Sequence, residues 1–120
     1  MTEDWRRRRF APPSGAPLGR VADIPAGSGR ELIFGEGKDA FRIVLLRDGH
    51  AVFAYVNRCP HFGTPLNAQP TFVTRQRRVI CVSHYARFRF HDGYCEDGPC
   101  QGASLEPIAL AVDDEEIRVQ

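Results

Sequence analysis

Cys59-Pro60-His61-Phe62-Gly63-Thr64-Pro65-Leu66 and, further along, Cys81-Val82-Ser83-His84 are the stretches around which this chain is organised. Each supplies one thiol and one imidazole, the first at C-x-H and the second at C-x-x-H spacing, with 19 residues, 62 to 80, between His61 and Cys81. Donors this close in sequence let a tight loop aim two side chains at one centre. Two such loops supply the four ligands that close one metal site. A lone Cys-x-His is commonly a core cysteine beside a surface histidine, but two boxes in order point to a metal centre. As residue types, Cys59, His61, Cys81 and His84 suit tetrahedral zinc or a binuclear iron–sulfur cluster. Zinc fingers usually pair Cys with Cys and His with His. Each box here is mixed, which favours a binuclear centre fed by both loops.

Strand signals flank both boxes. Residues 41–47 are rich in β-branched and aromatic side chains, and Asp48-Gly49 is a hairpin turn signal. The returning strand, residues 50–57, delivers the first box. Residues 77–81 read as a strand entering the second box, and the long spacer before it predicts an extended hairpin. Phe88 and Phe90 alternate with Arg87 and Arg89, the pattern of a strand with one buried face. Asp92-Gly93 makes another turn, and residues 95–102 read as an irregular loop. Strands are expected at 19–22 and 31–34 upstream, and at 105–112 and 116–119 downstream. No segment carries a helical period. Many short strands with turn signals in 120 residues predict a single all-β sandwich or barrel.

In these residues the chain resembles the Rieske [2Fe–2S] proteins, and within them a small Rieske-type ferredoxin. Gly93-Tyr94-Cys95, Gly98-Pro99 and Leu105-Glu106-Pro107 are similar to that family's third loop and following strand, so the likeness spans about residues 18 to 119. The resemblance implies an all-β, Rieske-like antiparallel β-sandwich or barrel with a small cluster-binding subdomain. It implies a [2Fe–2S] cofactor, with Cys59 and Cys81 on one iron and His61 and His84 on the other, the histidines at the molecular tip. It also implies a carrier of single electrons, itself not an enzyme, working between a flavin-dependent reductase and a terminal oxygenase. The alternatives are an electron-transfer small subunit of a larger reductase, nitrite-reductase-like, and a zinc-stabilised structural module. A self-sufficient oxygenase needs a further 2-His-1-carboxylate domain, for which this chain has no room. Val82 and Tyr85 stand where the family usually has Pro and Gly. Thr64 and Ser83 stand where respiratory members join the two loops by a disulfide. Ala86 and Phe88 stand where high-potential members carry a serine and a tyrosine that donate to the centre.

Composition is ordinary for a soluble domain, with 42% hydrophobic and 26% charged residues, and a net charge of +1 gives no strong field for nucleic acid or membrane. No apolar run reaches membrane-spanning length, and Arg8-Arg9-Phe10 is followed by no apolar region of a signal peptide, so a cytoplasmic protein is expected. Residues 1–17, with the run Arg6 to Arg9 and several Pro and Gly, read as a flexible arm ahead of a folded domain at 18–120. Cys95 and Cys100 fit no box; a mutual disulfide, buried thiols and plain loop positions all remain open. Arg58, Arg75, Arg77, Arg78, Arg87 and Arg89 are candidates for a basic docking surface, or else a scattered solvated set. His50 and His91, beside tight turns, are expected on the surface.

Overall fold

The computed structural model of this chain describes residues 3–60 and 63–120. Among them the strands run β1 (Pro17–Arg20), β2 (Gly29–Phe34), β3 (Phe41–Asp48), β4 (Ala51–Val56), β5 (Val73–Arg75), β6 (Arg78–Ile80), β7 (Arg87–Arg89), β8 (Cys95–Asp97), β9 (Pro107–Ile108), β10 (Leu110–Asp113) and β11 (Glu116–Val119). They form three antiparallel sheets, ordered β1-β11-β10, β2-β3-β4-β9 and β5-β6-β7-β8. The only helical pieces among the described residues are short 3-10 turns. Among the described residues no helix is long and apolar enough to cross a membrane.

The second sheet lies between two cores, and the period of a strand explains how. Successive side chains of β3 point to opposite faces. Ile43 and Leu45 therefore enter one core with Leu18, Val21, Ile24 and Ile117, under the first sheet. Val44 and Leu46 enter the other, with Val79, Phe88, Phe90 and Leu66, under the third. A strand buried on both faces must be apolar at consecutive positions, and 43–46 is such a run. Tyr55 fastens the second core from β4. Its hydroxyl donates to the Phe90 carbonyl at 2.6 Å, and burial raises its pKa. A Cβ on Gly93 would lie 2.7 Å from the Tyr55 ring, so only glycine lets the 92–93 turn pack there.

The flexible arm expected at the N-terminus is corrected: residues 3–16 fold back onto the domain. Trp5 is completely buried in the first core, its ring centroid 5.8 Å from that of Phe41. The Trp5 backbone N–H donates to Glu106 Oε2 at 3.1 Å, and Arg8 reaches Glu106 Oε1 at 3.2 Å. Phe10 lies flat against Gly35, where a Cβ would approach its ring to 2.2 Å. One indole in the right place supplies the apolar area that average composition conceals.

Smaller differences follow from short-range geometry. Residues 21–23 turn into a 3-10 segment rather than extending the first strand. The stretch expected as a loop at 95–102 begins with β8, which gains strand character by pairing with β7. The hairpin foreseen between the boxes exists, as β5 and β6 joined through Gln76 and Arg77.

Candidate metal centre

Both cysteine boxes fold into the same loop. The Cys59 N–H donates to the Thr64 carbonyl at 2.7 Å, and the Gly63 N–H returns to the Cys59 carbonyl at 2.8 Å. In the second box the Cys81 N–H donates to the Ala86 carbonyl at 2.9 Å and the Tyr85 N–H to the Cys81 carbonyl at 2.8 Å. Each loop thus closes from residue i to i+5 and from i+4 back to i. Each also needs a left-handed residue at i+4: Gly63 has φ 75° and Tyr85 φ 61°. Glycine reaches that conformation freely. A tyrosine there stores about 1–3 kcal/mol of strain, which the surrounding loop sustains. The loops are joined directly, the Val82 N–H donating to the Leu66 carbonyl at 3.0 Å.

This backbone sorts the candidate ligands by depth. Cys59 and Cys81 are buried and share the second core, whereas His84 is exposed and Tyr85, beside it, is 76% exposed. Cys59 and Cys81 thus share one core on two linked loops, with His84 exposed beside them, while no three His, Cys, Asp or Glu side chains among the described residues are gathered closely enough to hold a metal ion. His61 lies outside the described residues. As residue types, two buried thiols and an exposed imidazole are a donor set of the right chemistry for a cluster with mixed ligation. His50 and His91 are exposed, as expected of turn neighbours.

A polar hub beneath the first loop was not visible in the sequence. Asn57, buried at the end of β4, accepts from the Leu66 N–H at 2.8 Å and donates to Glu31 at 2.7 Å and to the Asn67 side-chain oxygen at 2.8 Å. Asn67 in turn donates to Glu31 at 3.0 Å, and Arg42 pairs with the same carboxylate at 3.0 Å. An asparagine two residues before a ligand box was the available signal, but its side-chain partners come from β2 and from the residues that follow the box. Asn57→Ala is expected to strand the Leu66 N–H and to cost about 1–3 kcal/mol, read as a lower urea midpoint at unchanged slope.

The third loop closes over the second box. A Cβ on Gly98 would meet Ala86 Cα at 2.7 Å, so glycine is what permits that approach. Cys95 and Cys100 are both free thiols, the Cys100 Sγ donating to the Cys95 Sγ at 3.4 Å. Of the readings open for them, the structure takes buried thiols. Burial, and then the neighbouring Cys95 sulfur, push the Cys100 thiol up to about 12.

Of the two readings open for the arginines near the second box, the structure favours the scattered, solvated set over a basic patch. Arg77 pairs with Asp48 at 2.9 Å, Arg78 with Glu96 at 2.9 Å, Arg87 with Asp97 at 3.4 Å, and Arg89 Nε with Asp92 at 3.0 Å. Hydrogen bonds from Arg78 and Arg89 hold the Glu96 and Asp92 carboxyls below the usual carboxylate range. Four of those arginines are thus matched by acids that strand pairing and turns bring alongside.

Comparison with known proteins follows this geometry. The sequence profile of the Rieske [2Fe-2S] domain matches residues 15–113. Apoptosis-inducing factor 3 of Homo sapiens is 31% identical over 105 residues, which are 88% of this chain but only 16% of that protein. The chain thus spans a small part of the curated relatives it matches. Among solved structures, the ferredoxin of carbazole 1,9a-dioxygenase from Nocardioides aromaticivorans IC177 superposes with a TM-score of 0.65 at 21% identity, over 87% of this chain and 96% of that one. A complex of reduced oxygenase and oxidized ferredoxin in carbazole 1,9a-dioxygenase superposes with a TM-score of 0.69 at 19% identity, over 86% and 89%.

Proposed function

Because this chain belongs to the Rieske [2Fe–2S] family, we propose that it carries single electrons on its [2Fe–2S] cluster, from a flavin-dependent reductase to a terminal oxygenase. Cys59 and Cys81 would hold one iron and His61 and His84 the other. The observation that carries this reading is the pair of identically bonded loops, with buried thiols and an exposed imidazole. When bound, the cluster supplies reversible one-electron chemistry at a potential above that of an all-cysteine site, because imidazole donates less charge than thiolate. The chain's own residues do the rest. The loops fix the two sulfurs before metal arrives. The 98–100 turn covers Ala86 and limits water on that side. His84 at the surface shortens the path to an acceptor. Support for an oxygenase partner comes from the solved complex in which a ferredoxin of this fold meets its oxygenase.

Visible absorption and electron paramagnetic resonance of the purified protein test the reading. A coloured protein with a paramagnetic signal in its reduced state is expected, and a colourless zinc-loaded protein would overturn it. The potential is a second expected outcome. Ala86 and Phe88 are buried at the positions where high-potential relatives place donors, and neither side chain can donate a hydrogen bond. The midpoint should therefore fall near about −150 mV rather than about +300 mV. A clearly positive value in a redox titration would mean that another donor takes their place.

A second reading is favoured by the 31% identity to a segment of a much longer protein. In it, the domain works as a fixed electron-transfer part of a larger reductase assembly. Stable co-purification with a partner, rather than passage as a free carrier, would distinguish the two.

A further inference from the structure

Four arginines near the second box are paired with acids, and a separate group of cations gathers beside the first loop. A pocket of about 530 Å³ collects Arg8, Arg9, Lys38, Arg42 and Arg58 around one carboxylate, Asp39. Its wall continues into Gly63 and Pro65 of the first cysteine loop. Arg9 faces Asp39 at 3.8 Å, Arg8 faces Glu106 at 3.2 Å and Arg42 faces Glu31 at 3.0 Å. Lys38 and Arg58 make no ion pair among the described residues. Three carboxylates therefore answer five cations. The excess is felt inside the pocket: after burial, the Arg58 charge is the next cause lowering the Arg8 pKa. Like charges held together in this way favour an anion between them.

The pocket exists because Trp5 and Phe10 dock the N-terminal segment and so carry Arg8 and Arg9 to the rim of the first loop. Arg58 immediately precedes Cys59, which places the excess charge beside the redox centre and not on a remote face. We propose that this pocket is the docking site for an acidic segment of the protein that exchanges electrons with this chain. The proposal rests on the reading of the chain as an electron carrier. Guanidinium groups take carboxylates by charge-assisted, often bidentate hydrogen bonds. Charge of this kind speeds encounter and orients it, and salt screens it, so the partner can leave after each transfer.

The test uses the cluster-loaded full chain and a hexaglutamate peptide as probe, by isothermal titration calorimetry at low salt. Lys38→Glu with Arg58→Glu breaks no internal ion pair, and is expected to weaken peptide binding by at least about tenfold. Arg75→Glu with Arg77→Glu, outside the pocket, should leave it unchanged. Raising the salt should weaken binding to the wild type and have little effect on the first variant. Equal peptide affinity in the wild type and the first variant would overturn the proposal. So would tighter binding of inorganic pyrophosphate than of the peptide, which would make the pocket a small-anion site. The absorption spectrum and midpoint of the same samples keep the two readings apart. An intact cluster with unaltered peptide binding defeats the docking site alone, whereas a wild type without a cluster defeats the carrier reading.

Discussion

Cys59→Ser and Cys81→Ser are each expected to give colourless protein holding less than about a tenth of the wild-type iron and sulfide. Both thiols are buried at the mouth of a closed loop, where no solvent ligand can replace them readily. A serine hydroxyl is a harder, far less acidic donor than a thiol and a poor match for an iron–sulfur centre. Cys95→Ser and Cys100→Ser should keep most of the iron and sulfide, since neither cysteine belongs to a box; their sulfurs face each other at 3.4 Å, although the Cys100 thiol also reaches Cys59. Iron and acid-labile sulfide assays on the four variants decide the ligand set. Retention of the full complement by either Cys59→Ser or Cys81→Ser would remove that cysteine from it.

Trp5→Ala should cost about 3–5 kcal/mol, the scale of emptying a large aromatic site in a packed core. The indole is completely buried, and the Arg6 guanidinium lies 4.5 Å from its ring centroid. Its Nε1 is buried with no hydrogen-bond partner among the described residues. Trp5→Phe removes that unpartnered N–H along with some volume, so it should cost clearly less than Trp5→Ala. Urea denaturation followed by circular dichroism measures both. A Trp5→Ala midpoint equal to wild type would mean that the N-terminal segment contributes nothing to the fold. The same variant should weaken the peptide site, because Trp5 is one of the two aromatic anchors that carry Arg8 and Arg9 to the pocket.

What the sequence revealed and what it hid have physical causes. The run at 43–46 and the Phe88/Phe90 alternation are local signals, and they specified the sheet strands directly. The cysteine boxes are local as well, and their spacing indicated a two-loop centre. Trp5 was hidden because one aromatic among arginines and prolines has no period, and its partner Glu106 lies 101 residues away. The same holds for charge: Arg77 is visible, but Asp48, 29 residues earlier, is what neutralises it. The hairpin between the boxes was legible only from the length of the spacer; the bounds of β5 were not, because it turns through Gln76 and Arg77, both left-handed at φ 51° and 62°, without the Asn-Gly or Asp-Gly signal such turns usually carry. Tyr85 was legible as a departure from glycine, but its strained backbone was not.

β3 has no face of its own, and this bears on how the loaded protein would age. Peeling the cysteine-bearing half away from the middle sheet uncovers Val44 and Leu46, on the same strand whose intervening residues, Ile43 and Leu45, hold the other half. At about 25 cal/mol for each Å² of apolar surface, such breathing costs more than the opening of a surface loop that uncovers no core residue. The two halves then behave as one foldon. If that opening gates the thiols, loss of cluster in air across a set of core variants is expected to track their urea midpoints.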